Sequence, residues 1–161
     1  MDRNKEFSEW LKYALDDLES AEILNQQHKK PLNIICYHCQ QAAEKYLKGF
    51  LVSKYIPFEK THDLLKLIES CQDIDQSFSI LVRDCIKLNP YSIITRYPSE
   101  LELIENDALS AIGSAKNIRE HVKKSIKDWN RGGIMETINN IELADESVYP
   151  DEDVLKKVLG K

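Results

Sequence analysis

Residues 104–122 read IENDALSAIGSAKNIREHV, with small or branched apolar side chains at Ile104, Ala108, Ala111, Ala115, Ile118 and Val122. The steps between them run four, three, four, three, four, which is the repeat of one face of an α-helix. A half-buried strand would place apolar residues at every second position instead. Just upstream, Ser99-Glu100-Leu101-Glu102 matches a capping box, in which a serine caps the third amide and a glutamate reaches back. The spacing therefore predicts a long last helix, starting at Ser99 and ending near Lys127.

Working outward, the same pattern recurs toward the N-terminus. Phe7, Leu11, Ala14, Leu18 and Ala21 predict a first helix over about Lys5–Gln27, which the basic turn His28-Lys29-Lys30-Pro31 ends. Leu32, Ile35, Cys39, Ala42, Tyr46 and Phe50 predict a second over about Leu32–Lys54. A short third is predicted from Thr61, read as its N-cap, to about Cys71, and a fourth over about Asp75–Leu88. Asn89–Pro98 holds two prolines and two tyrosines and reads as an ordered loop. Apolar stripes joined by short connections bury themselves only against one another. The fold class expected is all-α, an antiparallel up-and-down bundle of about five helices over residues 5–127. An acidic C-terminal extension over residues 128–161, with eight acidic and four basic residues, reads as weakly structured.

The composition agrees, since only five glycines and five prolines are present in 161 residues, too few for the turns of a sheet protein. The net charge of −5 argues against general adhesion to nucleic acid or acidic membranes, yet residues 28–66 carry seven basic and three acidic side chains. That middle stretch can draw a phosphate or acidic partner, or be an ordinary solvated face. No apolar run reaches the roughly 20 residues of a membrane span, and the first residues lack a signal-peptide core. A cytoplasmic protein with free thiols at Cys36, Cys39, Cys71 and Cys85 is expected.

Four constellations carry candidate chemistry. Cys36-Tyr37-His38-Cys39 offers thiols and an imidazole, but a structural zinc site closes with four ligands and no second pair stands at matching spacing; neither metal nor cofactor is expected. Gln41, Glu44, Lys45 and Lys48 fall at helix-neighbour spacings and can form one polar face for an anion, or a solvated face with a Glu44–Lys48 pair. In Lys60-Thr61-His62-Asp63, His62 beside Asp63 can be a tuned acid–base, or Thr61 caps a helix while His62 bonds backbone. Tyr91 and Thr95-Arg96-Tyr97-Pro98 place an arginine among aromatics, suited to clamping a phosphate or stacking on a base, or to tying the loop to a carboxylate.

Three of these blocks, Cys39–Lys48, Lys60–Leu64 and Thr95–Pro98, together with Trp10, Ala14, Asp17, Leu18 and Ala21, resemble the signature of HEPN proteins over about residues 7–126. The resemblance implies a small helical bundle that commonly forms a homodimer. It often also implies a minimal nucleotidyltransferase as partner in a toxin–antitoxin-like pair. Ribonuclease-active HEPN proteins carry an arginine followed four to six residues later by a histidine. The histidines here are His28, His38, His62 and His121, and none has an arginine at that distance upstream. The reading is a non-catalytic module binding a nucleotide or nucleotide-like anion through Gln41, Lys45, Lys48, His62, Asp63, Tyr91, Arg96 and Tyr97. The alternatives are an RNA-cleaving toxin with a displaced Arg–His pair, and a purely structural interaction subunit.

Overall fold

A computed structural model describes residues 3–98 and 101–129. They form α1 (Arg3–Asn25), α2 (Leu32–Ser53), α3 (Leu64–Ile74), a 3₁₀ segment (Gln76–Leu81), α4 (Val82–Leu88), the single turn α5 (Tyr91–Ile94) and α6 (Glu105–Trp129). There is no strand among the described residues. The all-α antiparallel bundle is therefore the fold, and the expected C-terminal extension lies outside the described residues from position 130 onward.

The centre is α2, which packs on α1, α3, α4, α5 and α6. Small residues are buried on all three of the bundle's long members: Cys39, Ala42 and Ala43 of α2, Ala14 and Ala21 of α1, and Ala108, Ala111 and Ala115 of α6. Small side chains let helix axes approach closely, which larger ones would prevent. The α1–α2 contact is close at Gly49, where a Cβ would meet Leu11 Cδ2 at 3.2 Å and Trp10 Cβ at 3.4 Å. Phe7, Phe50 and Phe78 fill the wider end, with Phe50 and Phe78 ring centroids 4.3 Å apart.

Several helix ends depart from expectation, each for a local reason. The last helix starts at Glu105, because the Asp107 carboxylate accepts the Ile104 amide at 2.9 Å and closes the N-terminus there. Ser99 and Glu100 lie outside the described residues, and Ile104, expected in the core stripe, is exposed. Asp63, not Thr61, caps α3 by accepting from Leu65 N; the Thr61 hydroxyl instead accepts the Asp63 amide at 3.0 Å. The fourth helix splits after Asp75 caps Ser77, because a 3₁₀ turn brings residues three apart to one side and so buries both Phe78 and Leu81. The expected loop contains the turn α5, which Pro90 starts with φ −62°, a value already fit for helix.

At its far end α2 finishes in a Schellman motif: Ile56 N donates to Leu51 O and Tyr55 N to Val52 O, both at 3.0 Å. Tyr55 takes the left-handed position there, with φ 61°. Its ring carries the Arg3 guanidinium 4.5 Å from the centroid, so contact with α1 compensates for a conformation that glycine would adopt more readily.

Candidate functional site

A row of polar side chains runs along α2, and several of them are buried, as a solvated face would not be. Gln40 is fully buried, and Glu44 and Lys48 nearly so. The Lys60–Asp63 segment folds back over α2 and covers them. Gln40 Nε2 donates to the His62 carbonyl at 3.1 Å, and Gln41 Nε2 donates to Gln40 Oε1 at 2.8 Å. Glu44 is held on two sides, by Lys48 Nζ at 2.7 Å and by His62 Nδ1 at 3.0 Å. The Lys48 ammonium also lies over two rings, 5.5 Å from Trp10 and 5.6 Å from Phe58. The His62 ring thus bonds a carboxylate and not backbone, while its own carbonyl accepts from Gln40 and most of the side chain remains exposed.

A second cluster joins α1 to α2. Asp17 accepts from Lys45 and lies 2.8 Å from His38 Nδ1. Burial alone would raise the Asp17 carboxyl, but hydrogen bonds from His38 and Lys45 outweigh it and hold the group below its ordinary value. Asp17 stands three residues after Ala14 and four before Ala21, so its place beside the buried stripe of α1 was readable from spacing. Its two partners were not.

The third cluster is the turn around α5. Tyr91 meets Cys36, and burial raises the phenol to about 12 and the thiol to about 11. The Arg96 guanidinium rests 5.6 Å from the Tyr37 ring centroid, and the Thr95 hydroxyl donates to the Tyr91 carbonyl. Tyr97 is 68% exposed at the rim of a cleft of about 420 Å³ that Lys30, Asn33, Ile94 and Leu101 also line. Lys30 pairs with Glu105 at 3.0 Å across the start of α6. Among the described residues Arg96 forms no ion pair, and its guanidinium lies over the Tyr37 ring.

The eight sequence-derived candidates therefore divide. Gln41, Lys48 and His62 share the network built on Gln40 and Glu44, Lys45 belongs with Asp17, and Tyr91, Arg96 and Tyr97 belong to the turn. Asp63 caps α3 and receives Asn89 Nδ2 at 3.1 Å, which ties α3 to the chain just before α5. Tyr37 and Gln41 are four residues apart on α2, so the turn and the buried network adjoin along one helix. Tyr37 and Glu44 lie seven residues apart, about 10 Å along the axis. Sequence reasoning weighed Tyr37 and His38 only as part of a metal constellation, Asp17 only in the family pattern and Lys30 only as a helix-ending turn, and it counted none of them as a site residue; of the four, Asp17 carried the usable spacing.

All four cysteines are unpaired and buried, and burial pushes every thiol upward. Among the described residues no three His, Cys, Asp or Glu side chains gather as a metal-binding group, and no helix is long and apolar enough to cross a membrane.

Comparison with known proteins follows the same boundaries. The HEPN domain model matches residues 7–125. The solved structure of ST0689, an archaeal HEPN homologue, is 26% identical with a TM-score of 0.61, covering 78% of this chain and 99% of its own. TT1696 from Thermus thermophilus is 26% identical with a TM-score of 0.64, covering 77% of this chain and 98% of its own. No curated protein matches significantly. With a family match that spans the bundle from the first core residue of α1 to the last turns of α6, this chain belongs to the HEPN domain family.

Proposed function

We propose that this protein is a non-catalytic, dimeric HEPN module that binds a nucleotide or nucleotide-like anion and pairs with a minimal nucleotidyltransferase in a toxin–antitoxin-like arrangement. The observation that carries the binding is Arg96 stacked on Tyr37, beside the exposed Tyr97 and a cleft bordered by Lys30. A guanidinium held on an aromatic face keeps its fork of donors for phosphate, and an exposed tyrosine offers a ring for a base. Lys45 and Lys48 are matched by Asp17 and Glu44, and Lys30 by Glu105, so the ligand's charge falls first to Arg96. Gln41 and His62 supply polar groups farther along the row.

Millimolar ATP, GTP or short RNA should raise the melting temperature, since a ligand that binds only the folded state stabilises it. Arg96→Ala should abolish the rise without lowering the unliganded midpoint. No rise with any of the three ends the nucleotide reading. An Arg96→Ala variant that unfolds or loses its dimer supports the purely structural subunit instead. Light scattering tests the dimer, and co-purification with a nucleotidyltransferase from a neighbouring reading frame tests the pairing.

A second reading has a specific observation behind it. Arg96 and His38 both flank Tyr37, the His38 ring centroid lying 6.0 Å from that of Tyr37, and Asp17 fixes the imidazole through Nδ1. An arginine and a carboxylate-held histidine on one aromatic platform are parts from which RNA cleavage can be built. A transfer-RNA cleavage assay on wild type, His38→Ala, His62→Ala and Arg96→Ala decides it; an inactive wild type removes this reading.

A further inference from the structure

At the opposite end of the bundle, where α2 and α3 finish against the last turns of α6, an open cleft of about 750 Å³ shares no residue with the row on α2 or the turn at Arg96. Its floor is polar. Ser77 Oγ lies 2.9 Å from His121 Nε2, and the His121 ring packs edge-on against Phe78 at 4.6 Å between centroids. Burial lowers His121 below the ordinary histidine value, against the opposing pull of the Asp75 charge. Hydrogen bonds from the Ser77 hydroxyl and amide hold Asp75 below the usual carboxylate range. Ser77 thus joins the two groups, its amide donating to the Asp75 carboxylate and its hydroxyl meeting the His121 ring.

The walls carry charge and apolar surface. Lys54 enters from the end of α2, its Nζ 5.4 Å from the Phe50 ring centroid, and burial lowers its pKa. Lys124 stands three residues after His121, on the same side of α6. Among the described residues that line it, two lysines stand against the one carboxylate of Asp75, in a protein whose net charge is −5. Ile56 and Ile74 line the same cleft and are each more than a third exposed, apolar surface available to a ligand. The volume falls within the usual range for small-molecule sites, about 300–1,000 Å³.

We propose that this cleft is a second ligand site, taking a small organic anion whose carboxylate or phosphate head lies between Lys54 and Lys124 and whose apolar body covers Ile56 and Ile74. The head group is the shared chemistry, and the test separates its two sources. The His121 ring signal of the full chain is followed by NMR during titration with benzoate, phenyl phosphate and inorganic phosphate. One or both organic anions should shift it saturably while the Tyr97 signals stay in place, with inorganic phosphate binding at least about tenfold more weakly. Lys54→Ala/Lys124→Ala should abolish saturation with its helical spectrum intact. If that pair does not fold, Lys124→Glu alone should weaken binding about tenfold. The proposal is overturned if neither organic anion saturates, if inorganic phosphate binds equally well, or if the folded lysine variant binds unchanged.

Discussion

Glu44 shows how much one side chain's meaning depends on what folds over it. Four residues before Lys48 on a helix, it reads as half of a surface ion pair worth about a few tenths of a kcal/mol. Under the returning Lys60–Asp63 segment the same pair is almost wholly buried, with side-chain exposures of 8% for Lys48 and 5% for Glu44. Removing one partner then strands the other charge. Glu44→Ala should destabilise the protein by about 3–5 kcal/mol, measured by urea unfolding, and Glu44→Gln with Lys48→Met should recover part of that loss. Asp17 supplies a pH-dependent counterpart. Its folded-state value is depressed, so its contribution is fully present above its unfolded value of about 3.9 and is lost as pH falls through the lower folded value. Asp17→Asn should cost about 1–3 kcal/mol at neutral pH, because His38 and Lys45 lose a charged acceptor. It should also flatten the stability curve below about pH 4, which acid titrations of the two proteins would show. At this scale the sequence identified the participants better than their pairings: Arg96 was marked by its aromatic neighbours, whereas Tyr37 beneath it was visible only after folding.

Helices α1, α2 and α6 were legible because each repeats an apolar stripe over many turns, and such repetition tolerates error at single positions. Their ends were less so. The capping-box match at Ser99 was a local pattern, and the helix instead begins where Asp107, in its own first turn, reaches back to the Ile104 amide. The 3₁₀ segment escaped for a different reason, since Phe78 and Leu81 satisfy either helix type at a spacing of three. Two glycines separate propensity from packing. Gly113 sits on the exposed side of α6 with nothing within 4 Å of an added Cβ, so Gly113→Ala should stabilise by about 0.5–1 kcal/mol. At Gly49 the same change pushes on Leu11 at 3.2 Å, and thermal melts should show a distinctly smaller gain or none.

For the molecule as a whole, the all-α class followed from periodicity and the scarcity of turn residues. The buried apolar side chains run from Phe7 to Ile126, the interval the family match also spans within a residue. A chain ended after Trp129 should therefore keep its helical spectrum and a cooperative melt, and loss of cooperativity would place part of the core beyond that point. Site assignment at this scale was harder, because the two clefts are made by helix ends and turns that meet only in three dimensions. The buried thiols have a practical consequence for such work. Cys36, Cys39, Cys71 and Cys85 lie wholly inside the bundle and are held protonated, and alkylating reagents attack the exposed thiolate. The native chain should thus accept a single engineered surface cysteine, at Tyr97 or Lys124 for instance, and take up one maleimide dye per folded molecule with its own four cysteines left in place.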